Sequence, residues 1–181
     1  DATGTELTFD ASGSMTLDID DAAVTALTVD LGSGATLTFD QDLDTTANAT
    51  PTLTQLTLTS SGNVTLAEDD AGSALTASSV SKLDVTGVSG DFSTSNIGTS
   101  GSFTALTEFK GADGIDTISV SGAGGTYSGN TGNDDLTFTG MTGGVDVYGG
   151  AGKDTVTLDS VATDVDDIFF SDTADFAVTV Q

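Results

Sequence analysis

Gly111-Ala-Asp-Gly-Ile-Asp116-Thr-Ile-Ser119, Gly129-Asn-Thr-Gly-Asn-Asp134-Asp-Leu-Thr137 and Gly149-Gly-Ala-Gly-Lys-Asp154-Thr-Val-Thr157 carry one nine-residue pattern in one register. The third stretch fits G-G-x-G-x-D-x-U-x, with U a large apolar residue, at every fixed position. The first departs from it at Ala112 and the second at Asn130. Gly at the first and fourth positions permits positive φ and brings backbone carbonyls close together. The sixth position adds a carboxylate, and the apolar eighth turns back into a core. Gly, Asn and Asp also build ordinary tight turns. Three copies in one register ask for more than that. Calcium takes about 6–8 oxygens from carboxylates and carbonyls, and one such turn supplies about half, so two stacked turns are needed.

The pattern resembles the nonapeptide of RTX (repeats-in-toxin) proteins, the calcium-binding parallel β-roll. That resemblance implies two nonapeptides per coil, with each ion held between loops two nonapeptides apart. Two weaker units, Val120–Ser128 and Gly140–Tyr148, lie between the three good ones, with Phe138-Thr139 as a small insertion. Five units thus tile 111–157. Their apolar positions are Ile118, Tyr127, Leu136, Val147 and Val156, while the weaker units replace the Asp by Gly125 and Val145. On a two-edged coil the Asp-bearing loops all stack on one edge.

The expectation is two calcium ions there, one between loops 111–116 and 129–134, the other between 129–134 and 149–154. Asp116, Asp134 and Asp154 are the principal ligands and Asp113 a helper. Backbone oxygens of the glycine loops, at Gly111, Gly114, Gly129, Thr131, Gly132, Asn133, Gly149, Ala151 and Gly152, supply the rest.

The N-terminal half carries a different repeat. Leu7-Thr-Phe-Asp10, Leu17-Asp-Ile-Asp20, Leu27-Thr-Val-Asp30 and Leu37-Thr-Phe-Asp40 recur every ten residues, with turns such as Ala11-Ser-Gly-Ser14 and Gly32-Ser-Gly34 between them. Alternating inward residues followed by small-residue turns read as short strands. The rhythm continues through Leu56/Leu58, Val64/Leu66, Leu75 and Leu83/Val85. Ten residues per strand and turn give about twenty per two-strand coil, close to the 18–20 of the C-terminal array. The fold expected is therefore all-β, a parallel β-solenoid of roughly nine coils spanning some 40 Å. Residues 1–104 form its irregular section, 105–160 the calcium-binding β-roll, and 161–181 a terminal coil or the start of another segment. Two small β-domains meeting near residues 86–104 are the alternative. No sustained 3.6-residue periodicity supports helix.

Composition narrows the function classes. The chain has 28 acidic residues against Lys82, Lys110 and Lys153, a formal charge of -25, and no His or Cys. Such a surface repels phosphate, which excludes nucleic-acid binding and disfavours anionic lipid. It suits divalent cations; two calcium ions would leave about -21. No run approaches the length of a membrane-crossing helix. Opening on Asp1 with no signal-like stretch implies a piece of a longer protein. The absence of Cys is compatible with metal replacing cross-links in a secreted protein.

Ser–His–Asp and Cys–His chemistry are impossible within this segment. Paired Asp residues could act as acid and base on a sugar. However, Trp and Arg are absent, and Tyr127 and Tyr148 are expected to point inward, so an enzyme is not expected. Asp10, Asp20, Asp30 and Asp40 recur in phase, with Asp10 near Asp30 and Asp20 near Asp40; they suit either turn hydrogen bonds or calcium. Asp42/Asp44, Glu68-Asp69-Asp70 and Asp164/Asp166/Asp167 read as solvated loops; Asp166, Asp167 and Asp172, which follow the calcium array, are the better metal candidates. Thr-x-Thr pairs (Thr36/Thr38, Thr52/Thr54, Thr57/Thr59, Thr137/Thr139, Thr155/Thr157) are an ice-binding device when stacked, but Thr is also ordinary on an outward strand face.

Acidic, His- and Cys-free solenoids rich in Thr, Ala, Gly and Leu resemble bacterial RTX-containing surface-layer proteins. That resemblance implies secretion by a type I system, a cell-surface location, calcium-driven folding and assembly with copies of the parent protein, with cell-surface polysaccharide as a further partner. The alternative is a calcium-stiffened repeat of a large RTX adhesin, ice- or glycan-binding, or the RTX domain of a secreted hydrolase or toxin.

Overall fold

Leu27, Val29 and Leu31 are buried while Thr28 and Asp30 between them face outward. The same period-two alternation recurs at Leu56/Leu58, Val64/Leu66 and Leu83/Val85. Side chains that alternate in this way fit strands with one covered face. The computed structural model describes residues 6–17, 24–39, 53–68, 79–94, 103–122, 124–158, 167–169 and 177–180. Within them the chain forms sixteen strands in two parallel eight-stranded sheets. The fold is an all-β parallel solenoid.

One sheet, here called the charged sheet, contains β1 (Glu6–Ala11), β3 (Ala26–Leu31), β5 (Gln55–Ser60), β7 (Lys82–Val88), β9 (Glu108–Lys110), β11 (Gly125–Ser128), β13 (Val145–Tyr148) and β15 (Asp167–Phe169) in that order. The other, the hydroxyl sheet, contains β2 (Met15–Leu17), β4 (Ala35–Phe39), β6 (Val64–Glu68), β8 (Phe92–Thr94), β10 (Asp116–Ser121), β12 (Asp135–Thr139), β14 (Thr155–Leu158) and β16 (Ala177–Val180). The chain alternates between sheets, so each coil contributes one strand to each. The described residues form eight coils, where the ten-residue rhythm suggested roughly nine. β7 pairs with β9 and β8 with β10, so both sheets continue from the described strands before residue 95 to those after residue 102.

Coil length varies. Leu7 pairs with Leu27, an offset of 20. The middle coils are longer, with cross-coil bonds spanning 29, 27 and 26 residues. Over the calcium-type array the span falls to 18 and 20. The expected 18–20 residues per coil therefore hold from β1 to β3 and across the array, while the β2–β4, β13–β15 and β14–β16 steps take 22, 21 and 22 residues and the middle coils more. Strand register follows which face is apolar, and one ladder departs from it: between β5 and β7 the pairing slips by a residue at Thr57/Thr59, a bulge in β7.

A single core fills the space between the sheets. Leu27, Leu37, Leu56, Leu58, Phe92, Phe103, Phe109, Tyr127 and Phe138 are all fully buried. Leu7 and Phe9 on the first strand are only half-buried, having a neighbouring coil on one side alone. Tyr127 packs edge-on against Phe138, with centroids 4.7 Å apart, and donates its hydroxyl to the Leu106 carbonyl at 2.6 Å. All five apolar eighth positions of the array are buried. Tyr148 is a correction. It follows Val147 by one residue, so the strand period turns it outward, where it is exposed and stacks on Phe169.

The two outer faces differ. The charged sheet presents Glu6, Asp10, Asp30, Lys82, Asp84, Glu108, Lys110, Asp146 and Asp167. Lys82 pairs with Glu108, and Lys110 with Glu108 and Asp84. The hydroxyl sheet presents ladders of Thr and Ser. One runs Thr36, Thr65, Ser93, Thr117, Asp135, Thr155; another runs Ser119, Thr137, Thr157, Thr179. Asp135 is its one charged residue among the described outward positions. The Thr pairs thus divide: Thr36/Thr38, Thr137/Thr139 and Thr155/Thr157 lie on the hydroxyl sheet, and Thr57/Thr59 on the charged one. Thr52 is outside the described residues.

Candidate metal edge

The loops 111–115, 129–134 and 149–154 each lead from the charged sheet into the hydroxyl sheet, so they stack on one edge. The degenerate loops 122–124 and 140–144 lie on the other. Backbone bonds fix the stacking: Gly111 donates to Ser128, Gly129 to Tyr148, Gly132 to Ala151, and Ala151 to Asn130. The glycines are where the chain requires them. Gly132 and Gly152 have φ of 130° and 139°, and a Cβ on either would strike the carbonyl of the coil before it. Asn130, which replaces the pattern's second Gly, also adopts positive φ, at 73°, as Asn tolerates.

Registers bring Asp116, Asp134 and Asp154 into one column, which further back contains Val64 and Phe92. An apolar inward position thus becomes three successive buried carboxylates, 0%, 1% and 3% exposed. Asp116 Oδ2 accepts the Ala112 amide at 2.8 Å. Asp134 Oδ1 accepts the Asp116 amide at 2.8 Å, and Asp154 Oδ1 the Asp134 amide at 3.1 Å. Asp116 Oδ1 and Asp134 Oδ2 are buried without any hydrogen-bond partner. Around Gly111 the space a Cβ would fill is lined by Asp116 Oδ2 and the Gly129 carbonyl. Around Gly129 it is lined by Asp134 Oδ2 and the Gly149 carbonyl, and around Gly149 by Asp154 Oδ2. Carboxylate of one coil and carbonyl of the next therefore converge beside Gly111 and Gly129.

Electrostatics mark the column as strained. Burial pushes Asp116 up to about 7, and the charges of Asp91 and Asp113 add to this against its amide hydrogen bonds. Burial likewise pushes Asp134 up to about 8, helped by Asp116 and Asp154 on either side. Stacked out of water, the charges of Asp116 and Asp154 oppose the ionisation of Asp134 between them, and a buried unpaired polar oxygen costs about 1–3 kcal/mol. A divalent cation would reverse that sign. The donor set fits calcium: hard oxygens, two of them unpartnered, with carbonyls beside them. Among the described residues no three Asp, Glu, His or Cys side chains gather around one point.

The other expected ligands are placed differently. Asp113 is exposed and accepts Asn130 Nδ2 at 3.2 Å, while its backbone carbonyl accepts the Thr131 hydroxyl at 2.7 Å. Thr131, Asn133 and Ala151 are also exposed; Asn133 Oδ1 accepts the Lys153 amide at 2.8 Å, and the Ala151 carbonyl accepts Gly132. Asp10 and Asp30 stand side by side, with Asp30 accepting the Thr59 hydroxyl at 2.8 Å. Asp167 opens β15 and is exposed. Asp20, Asp40, Asp42, Asp44, Asp69, Asp70, Asp164, Asp166, Asp172 and Leu75 lie outside the described residues, as does the side chain of Glu68.

Asp91 escaped the sequence pattern. It occupies the coil before the array, where its two oxygens accept the Ile115 amide at 2.8 Å and Asn63 Nδ2 at 3.0 Å. The available signal was Ser61-Gly-Asn63 and Ser89-Gly-Asp91, two small-Gly-polar turns 28 residues apart, each just before a strand.

No family model, curated protein or solved structure matches this chain. The functional reading therefore rests on the chain's own geometry.

Proposed function

We propose that this chain is a structural calcium-binding segment of a secreted bacterial surface-layer protein, in which calcium drives folding and lattice assembly. One observation carries the metal reading: Asp116, Asp134 and Asp154 form a buried column with two unpartnered oxygens, beside carbonyls exposed by glycines. A fold that needed only a tight turn here would keep the apolar column of Val64 and Phe92. Asp134 is the shared residue, because its loop faces both neighbours. Two ions would lie on this edge, one on each side of the 129–134 loop. The -25 charge supports the reading too, since it disfavours the compact state until cations bind.

The coupling follows from linkage. Where calcium is scarce, the stacked carboxylates resist burial and the C-terminal coils stay loose. Where it is abundant, binding free energy becomes folding free energy. Circular dichroism of the chain stripped with EGTA and then given calcium tests this. Gain of β signal on calcium addition supports the proposal, and full β structure in excess EGTA contradicts it.

A further inference from the structure

The outer face of the hydroxyl sheet is a docking surface: we infer that it pairs face to face with the same face of a second copy of this chain. Charge selects the partner and the face. At -25, two copies repel wherever acidic surfaces meet, and the charged sheet presents nine ionised side chains outward. The hydroxyl sheet presents one, Asp135, among its described outward positions. It is the broad face across which two copies can approach with little repulsion.

Its texture suits pairing with itself. Ser119, Thr137, Thr157 and Thr179 lie in register on successive parallel strands, as do Thr36, Thr65, Ser93 and Thr117. In-register ladders of small, like side chains are what lets two sheets interdigitate closely. Eight strands about 4.8 Å apart give a face about 34 Å long, widest at β10 and β12, which present three outward residues each, and narrower elsewhere, where the strands present one or two. The pair would bury roughly 650 Å² in all, below the size of a standard interface. A single pair is therefore weak, and many copies along a lattice make it persist. This deepens the assembly part of the proposed function and rests on that reading only there.

Sedimentation velocity of the full chain, in calcium and in EDTA, tests the inference. Wild type should show concentration-dependent dimers that strengthen with added salt, because screening weakens the residual repulsion. Thr137→Glu with Thr157→Glu should weaken the dimer by about tenfold or more. Thr28→Glu with Thr57→Glu, the same change on the charged sheet, should leave it in place. As a check independent of folding effects, spin labels on Thr137→Cys should show short interchain distances and those on Thr57→Cys none. Equal weakening by both pairs of Glu substitutions, or a wild type monomeric at all concentrations, overturns the inference. So does a monomer that shows thermal hysteresis, which would assign the face to ordered water. Calcium binding without dimers removes this inference alone; dimers without calcium binding remove the metal reading and leave this one.

Discussion

Asp134 occupies a position where the preceding coils place Val64 and Phe92, and that exchange is the smallest unit of the account. Its carboxyl is pushed up to about 8 by burial and by its two acidic neighbours. A raised folded value means the folded state holds the proton more tightly than the unfolded one. The resulting destabilisation is absent below about pH 4, grows as pH rises toward 7–8, and is complete above that. Metal-free protein should therefore melt at a lower temperature at pH 8 than at pH 5, read by circular dichroism in EDTA. Asp134→Asn should reduce that difference, and calcium should flatten it. The same substitution should weaken calcium binding by about tenfold or more, which titration calorimetry measures. Gly152→Ala tests the turn: at φ 139° with the Gly132 carbonyl in the way, it should cost about 1–3 kcal/mol, measured by chemical denaturation in calcium.

At the scale of the element, much was legible because the side-chain period is two. Leu27/Val29, Leu56/Leu58 and Leu83/Val85 announced strands, and the apolar eighth positions of the array were all buried as read. Tyr148 was misplaced because it sits one residue past Val147, where the period reverses its face. Coil length was less legible. The ten-residue rhythm of the first forty residues does not persist, since the middle coils take up to 29 residues and the β5–β7 ladder slips by a residue at Thr57/Thr59. For the same reason the Thr pairs looked irregular along the chain and yet form ladders on the hydroxyl sheet. Asp91 was missed because its contacts to Ile115 and Asn63 are made between coils. Within the calcium-type coils, Phe138 is buried beneath β12 against Tyr127. Phe138→Ala should cost about 3–5 kcal/mol, seen as a lower denaturation midpoint in calcium.

Across the whole molecule two kinds of edge hold the coils. On the edge opposite the candidate metal column, hydroxyls of Thr54, Ser81 and Thr107 each donate to the carbonyl of the coil before, at 3.1–3.2 Å. That ladder needs no ion. Chelation should then loosen residues 111–158 first, while hydrogen exchange of β3 to β7 stays slow; uniform loss of protection would place the coupling elsewhere. The most direct test of the central claim is titration calorimetry of calcium into the EDTA-stripped full chain. The account predicts saturable binding of two ions, lost or weakened at both sites in Asp134→Asn. No saturable binding, or binding unchanged by Asp134→Asn, would contradict it.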